Sequence, residues 1–361
     1  MAKNDSLHKA KSVKNDEFYT QLSDVSEELR HYKQHFKDKI VFCNCDDPTW
    51  SAFWKYFHLN FKALGLKKLI STHYDKTKPT YKIEYEGGDD NNIEVGVKTP
   101  LKGNGDFRNQ ECLDLLDEAD IVVTNPPFSL FREYVAVLME HNKKFIVLSN
   151  MNAITYKEFF PLIKNNKIWV GNGFNLSMVF KTPYPNLLEA NRKYVISKGY
   201  NPDEGYVKTP AIAWFTNLDI QKRHEKLILW KNYSPEEYPK YDNYDAINID
   251  KVDQIPCDYD GNMGVPITYL DKYNPDQFEI LGLLQSSTDE QAGTPNLRYY
   301  NDFKEMRQDM TYTGASGGKA NGNPVVQGKS KKGNFLYNPV TKEYVHSVYA
   351  RILIRKKKGG K

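Results

Sequence analysis

Asn125-Pro126-Pro127-Phe128 follows directly on the apolar run Asp120 to Thr124, and its residue types suit a specific chemistry. Two consecutive prolines restrict φ and remove two N–H donors, so the turn is stiff and presents unpaired carbonyls. The side-chain oxygen of Asn125 and the carbonyl of Pro126 can accept the two protons of a planar amino group. Those bonds draw the nitrogen toward tetrahedral geometry and release a lone pair otherwise delocalised into the attached ring or carbonyl. Phe128 can stack on that planar system. Rigid acceptors of this kind supply the positional and electrostatic catalysis that alkylation of such a nitrogen, as in methyl transfer, requires. The plainer description is a strand-terminating turn. With Pro at about 5% of residues, a chance Asn-Pro-Pro-aromatic in a chain this long has a probability on the order of one in a hundred.

The elements around the turn read as alternating strands and helices. Lys39 to Cys45 is a short apolar run closed by Asp46-Asp47-Pro48, which predicts a buried strand feeding a loop. Thr49 is placed to cap a helix over Trp50 to Leu64, with Phe53, Trp54, Phe57 and Phe61 at helical spacing and Gly65 as its stop. A second strand is expected over Leu66 to Tyr74, then a hairpin-like insertion with arms Lys82 to Glu86 and Ile93 to Val97 at the sheet edge. Asn109 to Glu118 reads as helix, Ala119 to Thr124 as strand, Leu130 to His141 as helix and Lys144 to Ser149 as strand. Such alternation predicts an α/β fold with a parallel, doubly wound sheet. The Asn125 turn then stands at the carboxyl end of a central strand, where such sheets bind ligands.

Composition narrows the class. With 361 residues, 40% hydrophobic, the chain can bury one large core or one core with an appended domain. No apolar run reaches membrane-spanning length and the lysine-rich start has no signal-peptide core, so a soluble cytoplasmic protein without membrane association is expected. Four irregularly spaced cysteines and eight unclustered histidines suggest neither a disulfide framework nor a metal site. The net charge of +4 is unevenly spread: from Gly314 to Lys361 eleven Lys and Arg face the single Glu343, while the rest of the chain is acidic. A basic end on an acidic body suits a polyanion-binding segment, and a solubilising tail would look the same. After about Asn175 the texture becomes loop-rich, and the Gly, Ser, Asn and Lys of the stretch 314–334 suggest a flexible loop.

Several segments together carry a resemblance: Asp16 to Gln21, Val41 to Pro48, Phe53 to Asn60, Gly105 to Arg108, Asp120 to Leu130, Ile154 to Glu158, Tyr238 to Asn248 and Gly264 to Thr268. In these the chain resembles the EcoRI-type adenine-specific DNA methyltransferases, from near its N-terminus to about Phe278. The resemblance implies a Rossmann-like domain that uses S-adenosylmethionine and releases S-adenosylhomocysteine. Catalysis would fall to Asn125, Pro126, Pro127 and Phe128. Phe18, Tyr19 and Thr20 would lie beside the methionine portion of the cofactor, with Thr20 as a hydrogen-bond partner. Cys43, Asn44, Cys45, Asp46, Asp47 and Pro48 stand where the family usually carries an Asp-Pro-x-x-Gly-x-Gly loop. The glycines are absent here, which makes Asp46 and Asp47 candidates for a polar grip on the cofactor's amino group, with helix capping as their plainer role. Asp106 would meet the cofactor's adenine amino group with Phe107 packed on the ring, although Phe107 also reads as core. Asp75 stands where acids hold a ribose in nucleotide folds, and an exposed loop aspartate is the simpler description.

Three parts follow: a disordered basic N-terminus (1–15), a catalytic domain (16–220), and a target-recognition, DNA-binding region (221–361) containing the flexible loop 314–334. The expected partner is double-stranded DNA, from which the target adenine must be rotated out of the stack. A cognate restriction endonuclease is a candidate partner by genetic linkage only, and a phage or orphan modification enzyme is equally consistent. Methylation of RNA or of a protein glutamine is the competing enzyme class, because the same turn suits those planar amines and amides. A catalytically dead DNA-binding relic is the non-enzymatic alternative, opposed by the intact Asn125 and Phe128.

Overall fold

In the computed structural model, which describes residues 19–45, 47–182, 189–285 and 298–357, the expected alternation of strand and helix is present. The chain divides into two units, Met1–Ala153 with Ile168–Ile220, and Ile154–Lys167 with Gln221–Lys361. The N-terminal stretch 1–15 and Lys358 lie outside the described residues.

The first unit carries strands β1 (Ile40–Cys43), β2 (Lys68–Thr72), β3 (Tyr81–Tyr85), β4 (Val97–Pro100), β5 (Ile121–Thr124), β6 (Lys144–Asn150), β7 (Trp169–Val170), β8 (Leu176–Lys181) and β9 (Tyr206–Thr216). They form one sheet in the order β4-β3-β2-β1-β5-β6-β9-β7, with β8 also paired to β9. Its helices are α1 (Leu22–Leu29), α2 (Ala52–Leu59), α3 (Phe61–Leu64), α4 (Gln110–Glu118), α5 (Phe131–Glu140) and a further helix at Glu189–Ser197. Strands β2, β1, β5 and β6 are mutually parallel. The expectation of a mostly parallel sheet is corrected here, since β3 and β4 on one side and β7, β8 and β9 on the other all pair antiparallel. Hairpins need only short connections, whereas each parallel pair needs a crossover, so the short links after β2 and β3 add antiparallel arms on one side, while β9 reaches the other side of the centre through the long segment after β6.

Side chains alternate across this sheet. Val41, Cys43, Ile121, Val123, Ile146 and Leu148 share a core with Val25 and Leu29 of α1 and with Phe53, Trp54 and Phe57 of α2. The intervening Phe42, Val122 and Val147 are also fully buried, so both faces are apolar as parallel strands require. The predicted helix over Trp50 to Leu64 is interrupted at Asn60, and its cap is Ser51, whose Oγ accepts from the Trp54 N–H, rather than Thr49. The second arm of the predicted hairpin starts later than expected, at Val97, because residues 89–95 form turns.

Within α1, Glu28 is a buried carboxylate with a full set of partners. It accepts from Tyr32 Oη (2.7 Å) and from the backbone N–H groups of Asn172 (2.7 Å) and Gly173 (2.6 Å). Asp24, one turn earlier, has no such support: burial pushes its carboxyl up to about 6 against the opposing pull of Lys198. The folded state therefore holds this proton more tightly than the unfolded chain, whose aspartate titrates near 3.8. Unfolding free energy then declines as pH rises from about 4 to about 6, and the deficit persists at neutral pH. Asp24→Asn is expected to raise stability at pH 7 by about 1 kcal/mol after allowance for partial exposure. The gain should shrink toward pH 4, as urea denaturation at the two pH values will show.

The second unit holds α6 (Phe160–Lys164) and two sheets. One has the order β10 (Ile247–Asn248), β11 (Met263–Pro266), β18 (Arg351–Lys356), β12 (Phe278–Leu284). The other runs β14 (Tyr312–Ser316), β13 (Lys304–Met306), β16 (Phe335–Tyr337), β17 (Tyr344–Ser347), β15 (Val325–Gln327). Residues 154–167 belong here although they interrupt the first unit in sequence: α6 packs on β12, and Gln285 Nε2 donates to the Thr155 carbonyl at 2.8 Å. The stretch 314–334, read from composition as a flexible loop, contributes strand residues and buried Gly317, Ala320, Val325 and Val326. Gly317 serves close packing, because a Cβ there would stand 2.3 Å from the Tyr300 carbonyl oxygen. The basic end is also partly structural. Arg355 pairs with Glu279 at 2.6 Å, and Lys356 reaches the Cys257 carbonyl at 2.6 Å and Asp260 at 3.3 Å.

Candidate active site

The carboxyl ends of the parallel strands β2, β1, β5 and β6 deliver the residues with chemical potential to one edge of the sheet. From β5 the chain passes into Asn125 and Pro126, both buried, then Pro127 and Phe128, both half-buried. Pro127 has φ −54° and ψ 125°, and Phe128 opens a 3-10 turn with its ring packed against the α1/α2 core. An amide oxygen, a proline carbonyl and an aromatic ring are thereby carried on a backbone with little freedom.

From the neighbouring β1 emerge Asn44 to Pro48. Asn44 is buried and its Oδ1 accepts from Tyr134 Oη of α5 at 2.5 Å. Burial of Tyr134 holds its phenol far above the ordinary range, so it stays a donor. The Phe107 ring meets Tyr134 edge-on at 5.1 Å, which ties the 105–108 segment to the β1 turn. Phe107 is itself buried. Asp106 is ionised and occupied: hydrogen bonds from Arg108, to Oδ1 at 2.9 Å and to Oδ2 at 2.7 Å, lower its carboxyl against the effect of burial. Any contact with a cofactor amino group must share that carboxylate with Arg108.

Asp47 is similarly committed. Burial would raise its carboxyl, but hydrogen bonds from the Thr49 N–H and hydroxyl, the nearby His73 and the Tyr81 hydroxyl outweigh it and hold the group low. Cys43, the last residue of β1, has its side chain buried in the core with Val41. Cys45 is half-buried beside Asn44, with Sγ 3.6 Å from Oδ1. Pro48 is buried in the turn. Tyr19 exchanges backbone hydrogen bonds with Lys181 and lays its ring on Trp50, centroids 4.0 Å apart. Thr20 beside it is buried. Phe18 and Asp46 lie outside the described residues.

Several polar atoms near this edge are buried without a hydrogen-bond partner: Thr20 Oγ1, Thr72 Oγ1, His73 Nδ1, Thr124 Oγ1 and Asn150 Nδ2. Each such atom costs about 1–3 kcal/mol unless something satisfies it, which marks the edge as built for a polar ligand. Local spacing did not point to His73, Tyr134 or Asn150. The usable signal was strand ends: β2 stops at Thr72, two residues before the predicted end at Tyr74, so His73 and not Asp75 stands at the edge. Asp75 sits in the following loop with Oδ1 bonded to the N–H and hydroxyl of Thr77. Among the described residues no cluster of His, Cys, Asp and Glu has the grouping of a metal site.

The model of the family described as adenine-specific methyltransferase EcoRI matches residues 6–357. The chain belongs to that family. It is 47% identical over 295 residues to the type II methyltransferase M.EcoRI of Escherichia coli, covering 78% of this chain and 89% of the relative. It is 40% identical over 284 residues to the type II methyltransferase M.MpnI of Mycoplasma pneumoniae, covering 77% and 85% of the two chains. With M.MgeORF184P, a type II methyltransferase of Mycoplasma genitalium, identity is 40% over 292 residues, or 77% and 86%. No solved structure matches the chain. The protein is thus a site-specific, adenine-specific DNA methyltransferase. Among the described residues, no helix of the methyltransferase is long and apolar enough to cross a membrane.

Proposed function

We propose that the enzyme moves a methyl group from S-adenosylmethionine to the exocyclic amino nitrogen of an adenine swung out of duplex DNA. The observation that carries this reading is the Asn125-Pro126-Pro127-Phe128 turn at the carboxyl end of β5, beside the β1 turn. A centre of four parallel strands with apolar side chains on both faces supports assigning the first unit to the Rossmann-like, doubly wound class, whose ligands sit at this edge.

The residues present fit the cofactor. Thr20, Thr72 and His73 offer buried, unpartnered polar atoms to a molecule rich in hydroxyl, amino and carboxylate groups. The Tyr19–Trp50 pair and Phe107 supply aromatic surface near the same turns. When bound, S-adenosylmethionine supplies an electrophilic methyl on a cationic sulfur and leaves as S-adenosylhomocysteine. Asn125 Oδ1 and the Pro126 carbonyl would accept the two amino protons of adenine, and Phe128 would hold the base plane. The prolines fix those acceptors in advance, so little reorganisation is needed as charge develops on the nitrogen.

Extruding a base costs a few kcal/mol, and contacts to phosphates and flanking bases must offset it. The second unit, with Lys304 on β13 and Arg307, Lys319, Lys329, Lys331 and Lys332 in the turns that join its strands, supports a role in that contact. Service with a cognate endonuclease and service as an orphan modification enzyme both agree with this activity.

The test is tritiated methyl transfer to duplex DNA, RNA and protein in parallel, followed by nucleoside analysis. Label in N6-methyldeoxyadenosine is the expected result. Label confined to RNA, protein or cytosine would overturn the assignment.

A further inference from the structure

We propose that His73, oriented by Asp47 and Tyr81, accepts a hydrogen bond from a ribose hydroxyl of the bound methyl donor. This deepens the cofactor reading above and rests on it. In nucleotide-binding sheets an acidic residue beyond the second strand commonly meets the ribose. Here β2 ends at Thr72 and the next residue, beside the β1 turn, is a histidine.

The ring is held from two directions. Its Nε2 lies 3.5 Å from Asp47 Oδ2, and its edge meets the Tyr81 ring with centroids 4.9 Å apart. Tyr81 in turn donates its hydroxyl to Asp47 Oδ1 at 3.1 Å, closing a small network around one carboxylate. A carboxylate beside Nε2 favours the tautomer protonated there and leaves Nδ1 with a lone pair. Burial keeps the ring neutral, outweighing the attraction of Asp47 and Asp75 for a protonated form. Nδ1 is fully buried and has no hydrogen-bond partner. A buried lone pair of this kind calls for an O–H or N–H donor. Among the cofactor's groups, the ribose hydroxyls are the donors that the end of the second strand faces in related nucleotide sites. Asp75, the acid nearest in sequence, already spends Oδ1 on Thr77.

The experiment measures binding of S-adenosylhomocysteine and its 2′-deoxy and 3′-deoxy analogues to the full-length protein by calorimetry. Wild type should bind the parent roughly tenfold more tightly than the analogue lacking the bonded hydroxyl. His73→Ala should bind that analogue and the parent alike, both near the weaker level. His73→Asn, whose Oδ1 can stand near the place of Nδ1, should recover part of the discrimination, while His73→Gln should not. Wild type binding both deoxy analogues as tightly as the parent would overturn the proposal without recourse to any variant, as would full discrimination by a folded His73→Ala protein. A wild-type protein that transfers no methyl group and binds no S-adenosylhomocysteine would instead remove the cofactor reading beneath it.

Discussion

Asn125→Ala is expected to lower methyl transfer to adenine by about a thousandfold while leaving affinity for duplex DNA nearly unchanged. The loss is large because the buried amide oxygen of Asn125 would be one of only two acceptors available to the target amino group. Without it one N–H of the adenine remains unbonded, and the nitrogen keeps its lone pair in the ring as the methyl approaches. The Pro126 carbonyl cannot move to compensate, since two prolines restrict the turn. Affinity for DNA should persist because phosphate contacts would supply most of it and a buried, uncharged amide is not the kind of group that makes them. Asn125→Asp offers a graded comparison: an acceptor oxygen is kept, but a charge is placed in a buried position, so partial activity is expected. Single-turnover tritium transfer, paired with DNA binding at fixed salt, measures both quantities. An Asn125→Ala protein with wild-type turnover would remove the amide from the chemistry.

Glu28→Ala is expected to lower the stability of the first unit by roughly 3–5 kcal/mol. The carboxylate receives three donors, the buried Tyr32 hydroxyl and the half-buried N–H groups of Asn172 and Gly173, and alanine would remove the acceptor from all three. Gly171 shows how closely this loop is drawn in, because a Cβ there would lie 2.4 Å from Glu28 Oε1 and 2.7 Å from the Trp214 side chain. The same loop leads into β8, whose last residue, Lys181, pairs with Tyr19. A loosened loop should therefore weaken cofactor affinity as well as lower the first thermal transition. Glu28→Gln retains one acceptor oxygen and should fall between wild type and alanine. Thermal unfolding followed through tryptophan fluorescence reports the stability part. A Glu28→Ala protein melting with wild type would show that the carboxylate merely fills space.

Much of the first unit was legible in advance. Short apolar runs at Ile40–Cys43, Ile121–Thr124 and Lys144–Asn150 could be read as buried parallel strands because parallel strands bury both faces and need no polar alternation. Gly65, at φ +65°, ends its helix where its freedom in the left-handed region predicts. The Asn125 turn was equally visible, since its stiffness is a covalent property of proline. Composition was a poorer guide where packing decides. Glycines between 314 and 334 suggested flexibility, and Gly317, in the 3-10 turn after β14, also permits close contact with Tyr300 and Phe303. Lysines and arginines near the end suggested a polyanion-binding or solubilising segment, and two of them, Arg355 and Lys356, also hold cross-strand and loop partners that composition does not show.

By itself the sequence determined the order of elements, the stiffness of the Asn125 turn and the family, because periodicity, proline geometry and segment similarity are properties of neighbours along the chain. Tertiary structure alone decided that His73 meets Asp47, that Tyr134 holds Asn44, and that Glu28 captures a loop some 144 residues away. Those pairings follow from strand order and register, which bring distant segments to one edge of the sheet. Such long-range partners are selected by burial and hydrogen-bond satisfaction in three dimensions, and no local spacing encodes them.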